Sequence, residues 1–341
     1  MNEKEVRKEV NKFIFKYQKE DVNEKLTSIL GNDFKKYRED FNKTQNYLKT
    51  KFIPDFPITI SLELINRCNL NCIMCYKKHH TEPRAMLGLE IIKKIMDECR
   101  EHKMPSMILG LGSETLMYNK VKGVIKKTRE AGIQDVFFGT NGVMLSEDII
   151  KSVIKNKISR VEISIDAATA ETYNRVRRVP VFEKVEENIN KLVELKRKFN
   201  TPLPVIRLCF VVMDINEHET GQFIKKWKNK VDYIDFQRFI DFSQVGKPVP
   251  PGKIEKEVIK NSFCSYPFYS LNIWANGDIS PCCTYYGKEL VIGNIHRDKL
   301  KEIWNGEKIK KIREQISLKK FNPVCQKCLY FRDKNLIDSS F

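Results

Sequence analysis

Residues Ile60–Lys78, ISLELINRCNLNCIMCYKK, decide how this chain is read. The stretch begins as a β-rich run in which Ile60, Leu62 and Leu64 share one face and Ser61 and Glu63 the other. It then breaks into a loop that carries Cys68, Cys72 and Cys75 as CxxxCxxC. Thiolates are soft ligands that suit iron–sulfur clusters and zinc. A four-iron cubane takes one ligand per iron, so three cysteines leave one iron open, and an open metal position is where chemistry occurs. Zinc with His79 or His80 as fourth ligand is the competing reading. Structural zinc motifs pair their ligands as CxxC around a closed tetrahedron, which the first gap here fits poorly.

Outward from this loop the chain repeats a strand, a turn and a helix. The β-rich runs are Ile58–Leu64, Ser106–Leu111, Asp135–Thr140, Arg160–Asp166, Val205–Val212 and Tyr233–Phe239. Helical stretches lie between them at Leu89–Glu101, Lys120–Ala131, Glu147–Asn156, Val181–Phe199 and Glu217–Asn229. Alternating strands and helices predict a parallel sheet with right-handed crossovers. Six units are too few for a closed eight-unit barrel, so the expected fold is α/β, a partial (β/α)6 TIM-like barrel. Residues 1–54 read as a charged helical extension with few strand signals, 55–245 as the barrel, and 246–341 as a small cluster-binding domain. The breaker-rich segment around Pro248, Pro250, Pro251 and Gly252 marks the last boundary. Beyond it, Tyr269–Trp274 and Asp278–Pro281 flank Asn276-Gly277, a hairpin signal.

A barrel packed solid fills its interior with Val, Ile and Leu. Here the face opposite the apolar one carries Glu63, Glu162, Arg207 and Asp235, which predicts a wet substrate cavity. Alternatively these charges pair with one another. Together with Arg177 they are the candidate substrate-binding residues. Cys209 falls on the same face, either as a reactive thiol or as a buried small hydrophobe.

The chain has 341 residues, 41% hydrophobic and 31% charged, as expected of a globular protein of two or three domains. The net charge of +17 reads as lysines on solvated helix faces, or as a surface that draws in an anion. No nucleic-acid-binding motif is visible, no apolar stretch is long enough to span a bilayer, and the charged N-terminus lacks a signal-peptide core. A cytoplasmic location is expected. In that reducing compartment ten cysteines speak for metal or catalysis rather than disulfides. Cys264, Cys282, Cys325 and Cys328 form a second set of four, enough for a cubane or for a zinc site of four thiolates, while Cys283 is spare and Cys99 stands alone.

The stretch Ile60–Lys78 resembles the signature loop of the radical S-adenosylmethionine superfamily. The resemblance implies a [4Fe-4S] cluster on Cys68, Cys72 and Cys75 whose open iron binds S-adenosylmethionine, giving a 5′-deoxyadenosyl radical that removes a hydrogen atom from substrate. Gly112-Ser113-Glu114 resembles the family's Gly-Gly-Glu motif, with Ser113 departing from glycine; Glu114 then receives the methionine amino group, although it would also serve as a helix cap. Asn141, Ser164 and Asp166 end the third and fourth strands, where the family binds the cofactor.

The spacing C-x12-G-x4-C from Cys264 to Cys282, followed by CxxC, looks like the shortened auxiliary-cluster domain called twitch, related to the larger SPASM domain. It implies one auxiliary [4Fe-4S] cluster on Cys264, Cys282, Cys325 and Cys328. Members of this type include a dehydrogenase of 2-deoxy-scyllo-inosamine and an epimerase of aminoglycosides. The resulting expectation is an oxidoreductase or epimerase acting on a sugar or cyclitol, reduced by a flavodoxin or ferredoxin, with Cys209 or Cys283 as hydrogen donor if it epimerises. Two alternatives remain at this stage. One is modification of a peptide, for which the N-terminal segment looks too short and too helical to be a leader-binding domain. The other is a non-catalytic zinc-binding adaptor.

Overall fold

The computed structural model describes residues 14–18, 20–79, 82–239, 256–282 and 288–329. Strands β2 (Thr59–Leu62), β3 (Ser106–Leu109), β4 (Asp135–Thr140), β5 (Arg160–Ser164), β6 (Val205–Val212) and β7 (Tyr233–Arg238) lie side by side in chain order. Every neighbouring pair among them is parallel, which is the partial barrel that the strand–helix rhythm predicts. The helices between them bury one face each. In Phe182–Lys198, for example, Val185, Ile189 and Leu192 recur at helical spacing and join Ile206, Leu208 and Phe210 of β6 in the main core. The other face of β6, with Arg207 and Cys209, therefore points into the barrel.

Two additions extend the sheet to ten strands. Strand β1 (Ile14–Gln18) pairs antiparallel with β7, where the sequence reading had only helices. The run IFKYQ is rich in β-formers but is only five residues long and set among lysines, so its own signal is weak; the unpaired edge of β7 supplies the rest. At the opposite edge, β8 (Ser270–Ile273) pairs parallel with β2 and then turns through Gly277 into β9 (Asp278–Ser280), the expected hairpin. Strand β10 (Gly293–Asn294) completes the sheet. The cluster-binding region thus shares one sheet with the barrel.

The N-terminal helices α1 (Val22–Leu30) and α2 (Asn32–Gln45) have a definite job. Their Leu26, Phe34 and Tyr37 form a second core cluster with Val205 and Tyr233. Those two residues precede Arg207 and Asp235 by two positions on the same strand faces, so the helices plug the barrel just beneath its charged layer. No helix among the described residues is long and apolar enough to cross a membrane.

Candidate active site

The loop after β2 places its three cysteines around a cavity of about 300 Å3, shared with Asn66, Lys77 and Glu82. Neighbouring segments fasten the loop. The Ile73 N–H donates to the Val176 carbonyl, and the Glu114 N–H donates to the Arg67 carbonyl. Tyr76 lies over Gly112 so closely that a Cβ there would sit 1.3 Å from its hydroxyl, so any side chain at that position would require Tyr76 to move.

Two polar side chains address the sulfurs directly. Arg177 donates to Cys72 Sγ at 3.3 Å, and Asn141 Nδ2 approaches Cys68 Sγ at 3.8 Å. Burial pushes the Cys68 and Cys75 thiols up. Metal binding reverses that by taking the thiolate form. Among the described residues no three His, Cys, Asp or Glu side chains converge on a single-ion position. A cubane spreads its thiolates over separate irons, so an all-sulfur trio around a shared cavity, with donors aimed at the sulfurs, fits a cluster better than one zinc ion.

The predicted cofactor residues cluster nearby. Glu114 is buried; its Oε1 accepts from the Leu116 N–H and the Thr140 hydroxyl, and its Oε2 accepts from the Asn141 N–H at 2.7 Å. It is thus a cap of the short turn at Thr115–Met117 and a link to the end of β4. Burial pushes its carboxyl up. Asn141 also donates to Asn69 of the cysteine loop at 2.7 Å. Ser164 is half-buried at the end of β5. Asp166 is fully buried, holds a left-handed φ of 58°, and accepts from the Val211 N–H at 2.7 Å while pairing with Arg177 at 2.5 Å. Burial works against the Arg177 charge, but Asp166 and Cys72 outweigh it and hold the guanidinium cationic.

Inside the barrel, Arg207 pairs with Glu162 at 2.8 Å and with Asp235, which also accepts from Gln237 at 2.9 Å. Glu63 does not join this group. Its carboxylate turns to Ser113 and to the Ala275 N–H, so the mutual pairing considered from the sequence holds for three of the four charges. Cys209 lies beside Ser164 and Asp235 in register and belongs to neither hydrophobic cluster. Burial pushes its thiol up. Cys99, by contrast, sits in the core against Met104. Lys77, Asn69 and Glu219 were not anticipated as site residues; Asn69, inside CxxxCxxC, and Lys77, two positions beyond Cys75, stood at a recognisable motif, whereas Glu219 did not.

In the C-terminal set, burial, with Cys282 and Cys328 beside it, pushes the Cys325 thiol up to about 12. Asn322 accepts from the Cys325 N–H at 2.9 Å and caps the closing turn. Cys264 is half-buried against the core. Cys283 and His80 lie outside the described residues.

Residues 62–225 match the Radical SAM superfamily, and residues 264–329 match SPASM, an iron–sulfur cluster-binding domain. The chain carries a radical SAM domain. S-adenosylmethionine and [4Fe-4S] clusters, an auxiliary one included, are accordingly its cofactors. Among relatives, it is similar to the GTP 3',8-cyclase of Clostridium perfringens (strain SM101 / Type A), 27% identical over 195 residues, or 55% of this chain and 56% of that protein. The chain therefore spans little more than half the length of that relative. It is also similar to the tungsten-containing aldehyde ferredoxin oxidoreductase cofactor-modifying protein of Pyrococcus furiosus, 23% identical over 309 residues, or 78% of this chain and 86% of that one. A solved structure of native anSMEcpe with bound AdoMet and Kp18Cys peptide shares the fold. Its TM-score is 0.55 at 16% identity, covering 82% of this chain and 98% of that chain.

Proposed function

We propose that this radical SAM enzyme removes a hydrogen atom from a hydroxyl-rich small molecule, a sugar or cyclitol, and oxidises or epimerises the carbon concerned. Cys68, Cys72 and Cys75 would hold the first cluster and Cys264, Cys282, Cys325 and Cys328 the auxiliary one. Bound there and reduced by a flavodoxin or ferredoxin, the first cluster and S-adenosylmethionine supply a 5′-deoxyadenosyl radical. Glu114 takes the methionine amino group, with Asn141 and Ser164 beside it. Asp166 would act through Arg177, with which it pairs at 2.5 Å and which also reaches Cys72 of the cluster loop.

One observation carries the substrate class. Asp235 Oδ1 and Arg207 Nε are buried and have no hydrogen-bond partner among the described residues. Leaving such atoms open costs roughly 1–3 kcal/mol each. A hydroxyl group both donates and accepts, so a polyol bridging the two atoms would satisfy both. The apolar plug beneath them closes that end of the barrel, which favours a compact substrate over a long one. Cys209, its pKa raised by burial, would keep its hydrogen at neutral pH and would return a hydrogen atom in an epimerisation.

Anaerobic reconstitution should give roughly eight irons per chain. With reductant, 5′-deoxyadenosine release should rise when the true polyol is added. Arg207→Met should abolish that rise and keep the slow background. Solvent deuterium at the product carbon, lost in Cys209→Ala, identifies epimerisation; a carbonyl product without label identifies oxidation. A rise with peptides and none with any sugar or cyclitol would overturn the substrate class.

A further inference from the structure

Ser113 stands where the resemblance places a glycine, and its hydroxyl has two partners that a glycine would lack. Lys77 Nζ donates to Ser113 Oγ at 2.7 Å and to the Asn66 carbonyl at 2.8 Å. Ser113 Oγ in turn donates to Glu63 Oε1 at 2.6 Å. The other oxygen of Glu63 accepts from the Ala275 N–H at 3.2 Å, and the Glu63 N–H donates to the Ile273 carbonyl at 2.9 Å.

These residues belong to four separate segments. Lys77 is on the cysteine loop, Ser113 precedes Glu114, Glu63 follows β2, and Ile273 and Ala275 belong to the hairpin that leads to Cys282. Glu63 is 2% exposed and Lys77 is half-buried. One hydroxyl therefore links a cation to a carboxylate, using its single proton toward Glu63 and a lone pair toward Lys77. Such a chain is polarised in one direction, and each bond strengthens the next. Without the hydroxyl, Lys77 keeps one carbonyl and Glu63 one backbone N–H. Both charges would then stand underpaired in a poorly solvated space.

We propose that Lys77, Ser113 and Glu63 form a strut that positions the cysteine loop and the Gly112-Ser113-Glu114 turn against the SPASM hairpin. All three are positioning residues. Ser113 is the keystone, because it touches both of the others. The mechanical part of the proposal stands on these contacts alone. Its consequence for S-adenosylmethionine rests on the proposed role of Glu114.

The test uses the full chain. In Ser113→Ala, amide hydrogen exchange should quicken about tenfold both in residues 63–79 and in residues 270–278, the effect of one lost charge-assisted hydrogen bond. Exchange in β5 and β6 should stay unchanged, and Ser113→Thr, which keeps a hydroxyl, should restore both segments. In the reconstituted protein, the Kd for S-adenosylmethionine by equilibrium dialysis should rise about tenfold in Ser113→Ala and return in Ser113→Thr. Wild-type exchange of both segments in Ser113→Ala would overturn the strut. Quickened exchange with an unchanged Kd would overturn its role in cofactor positioning. If the wild type bound no S-adenosylmethionine while the exchange result held, the reading of Glu114 would fail and the strut would stand.

Discussion

Arg177 illustrates what a single side chain does at this site. It ends the helix Ala170–Arg177, and from there its guanidinium reaches Asp166 on one side and Cys72 on the other. With both partners buried, Asp166 depends on Arg177 for its charge balance. Arg177→Met should destabilise the fold by about 3–5 kcal/mol, since it leaves a buried carboxylate uncompensated. The midpoint of urea unfolding should fall accordingly. Adding Asp166→Asn should recover part of the loss, a coupling that two independent residues would not show. From the sequence, Arg177 was a candidate substrate ligand. Its protein partners depend on a tertiary turn at Asp166, whose φ of 58° no local pattern announces for an aspartate. The cysteines were legible for the opposite reason: their role is written in spacing and donor type. Glu63 falls between. Its face was read correctly, but the residue that claims its carboxylate is fifty positions away.

Among the elements, the six strands and five of the helices of the barrel were readable to within a few residues at their ends, whereas the helix Ala170–Arg177 was not read. Period-two alternation and bursts of Val, Ile and Phe survive in any one sequence. Strand β1 was not readable, because five residues at a sheet edge take their conformation from β7 rather than from themselves. The joints between elements were equally hidden. Glu219, before the helix Thr220–Trp227, accepts from the Ala168 and Thr169 N–H groups and so steadies the start of the helix that carries Arg177. Glu219→Ala should lower stability by about 1–3 kcal/mol. It should also quicken hydrogen exchange in residues 169–177 more than elsewhere. At the base of the barrel, Asp232 joins Lys196, Lys25 and the Ile206 N–H. Burial raises its pKa, but Lys196 and these hydrogen bonds outweigh it and hold the carboxyl below its ordinary value of 3.8. A depressed folded pKa stabilises above the unfolded value and is lost as pH falls through the folded one. Asp232→Asn should therefore be less stable than the wild type near neutral pH. The gap between their unfolding midpoints should close as the pH is taken below 3.8.

For the whole molecule, one sheet joins the barrel to the region that matches SPASM. An open six-stranded sheet has two bare edges, and bare edges invite pairing with other chains. Here β1 covers β7, and β8 covers β2 in register from Thr59↔Ser270 to Leu62↔Ile273. The cover is more than hydrogen bonds, since Phe268, Leu271, Ile273 and Trp304 belong to the same core as Ile60, Leu62 and Ile95. Trp304 also donates its indole N–H to the Pro54 carbonyl just before β2, and Lys94 donates to the Ile295 and Asp298 carbonyls. Composition and spacing show a second cysteine-bearing region. They do not show that it supplies a strand to the first, because a parallel pairing between residues some two hundred positions apart leaves no local trace. A chain cut after residue 262 would lose that strand and bare an apolar flank beside the cysteine loop. Such a fragment should aggregate at concentrations where the full chain stays monodisperse by light scattering, and Cys68, Cys72 and Cys75 in it should take up less iron than a full cluster holds. If it stayed monodisperse and took up a full cluster, the barrel would be an independent unit. The SPASM domain would then contribute a cluster and nothing to the integrity of the sheet.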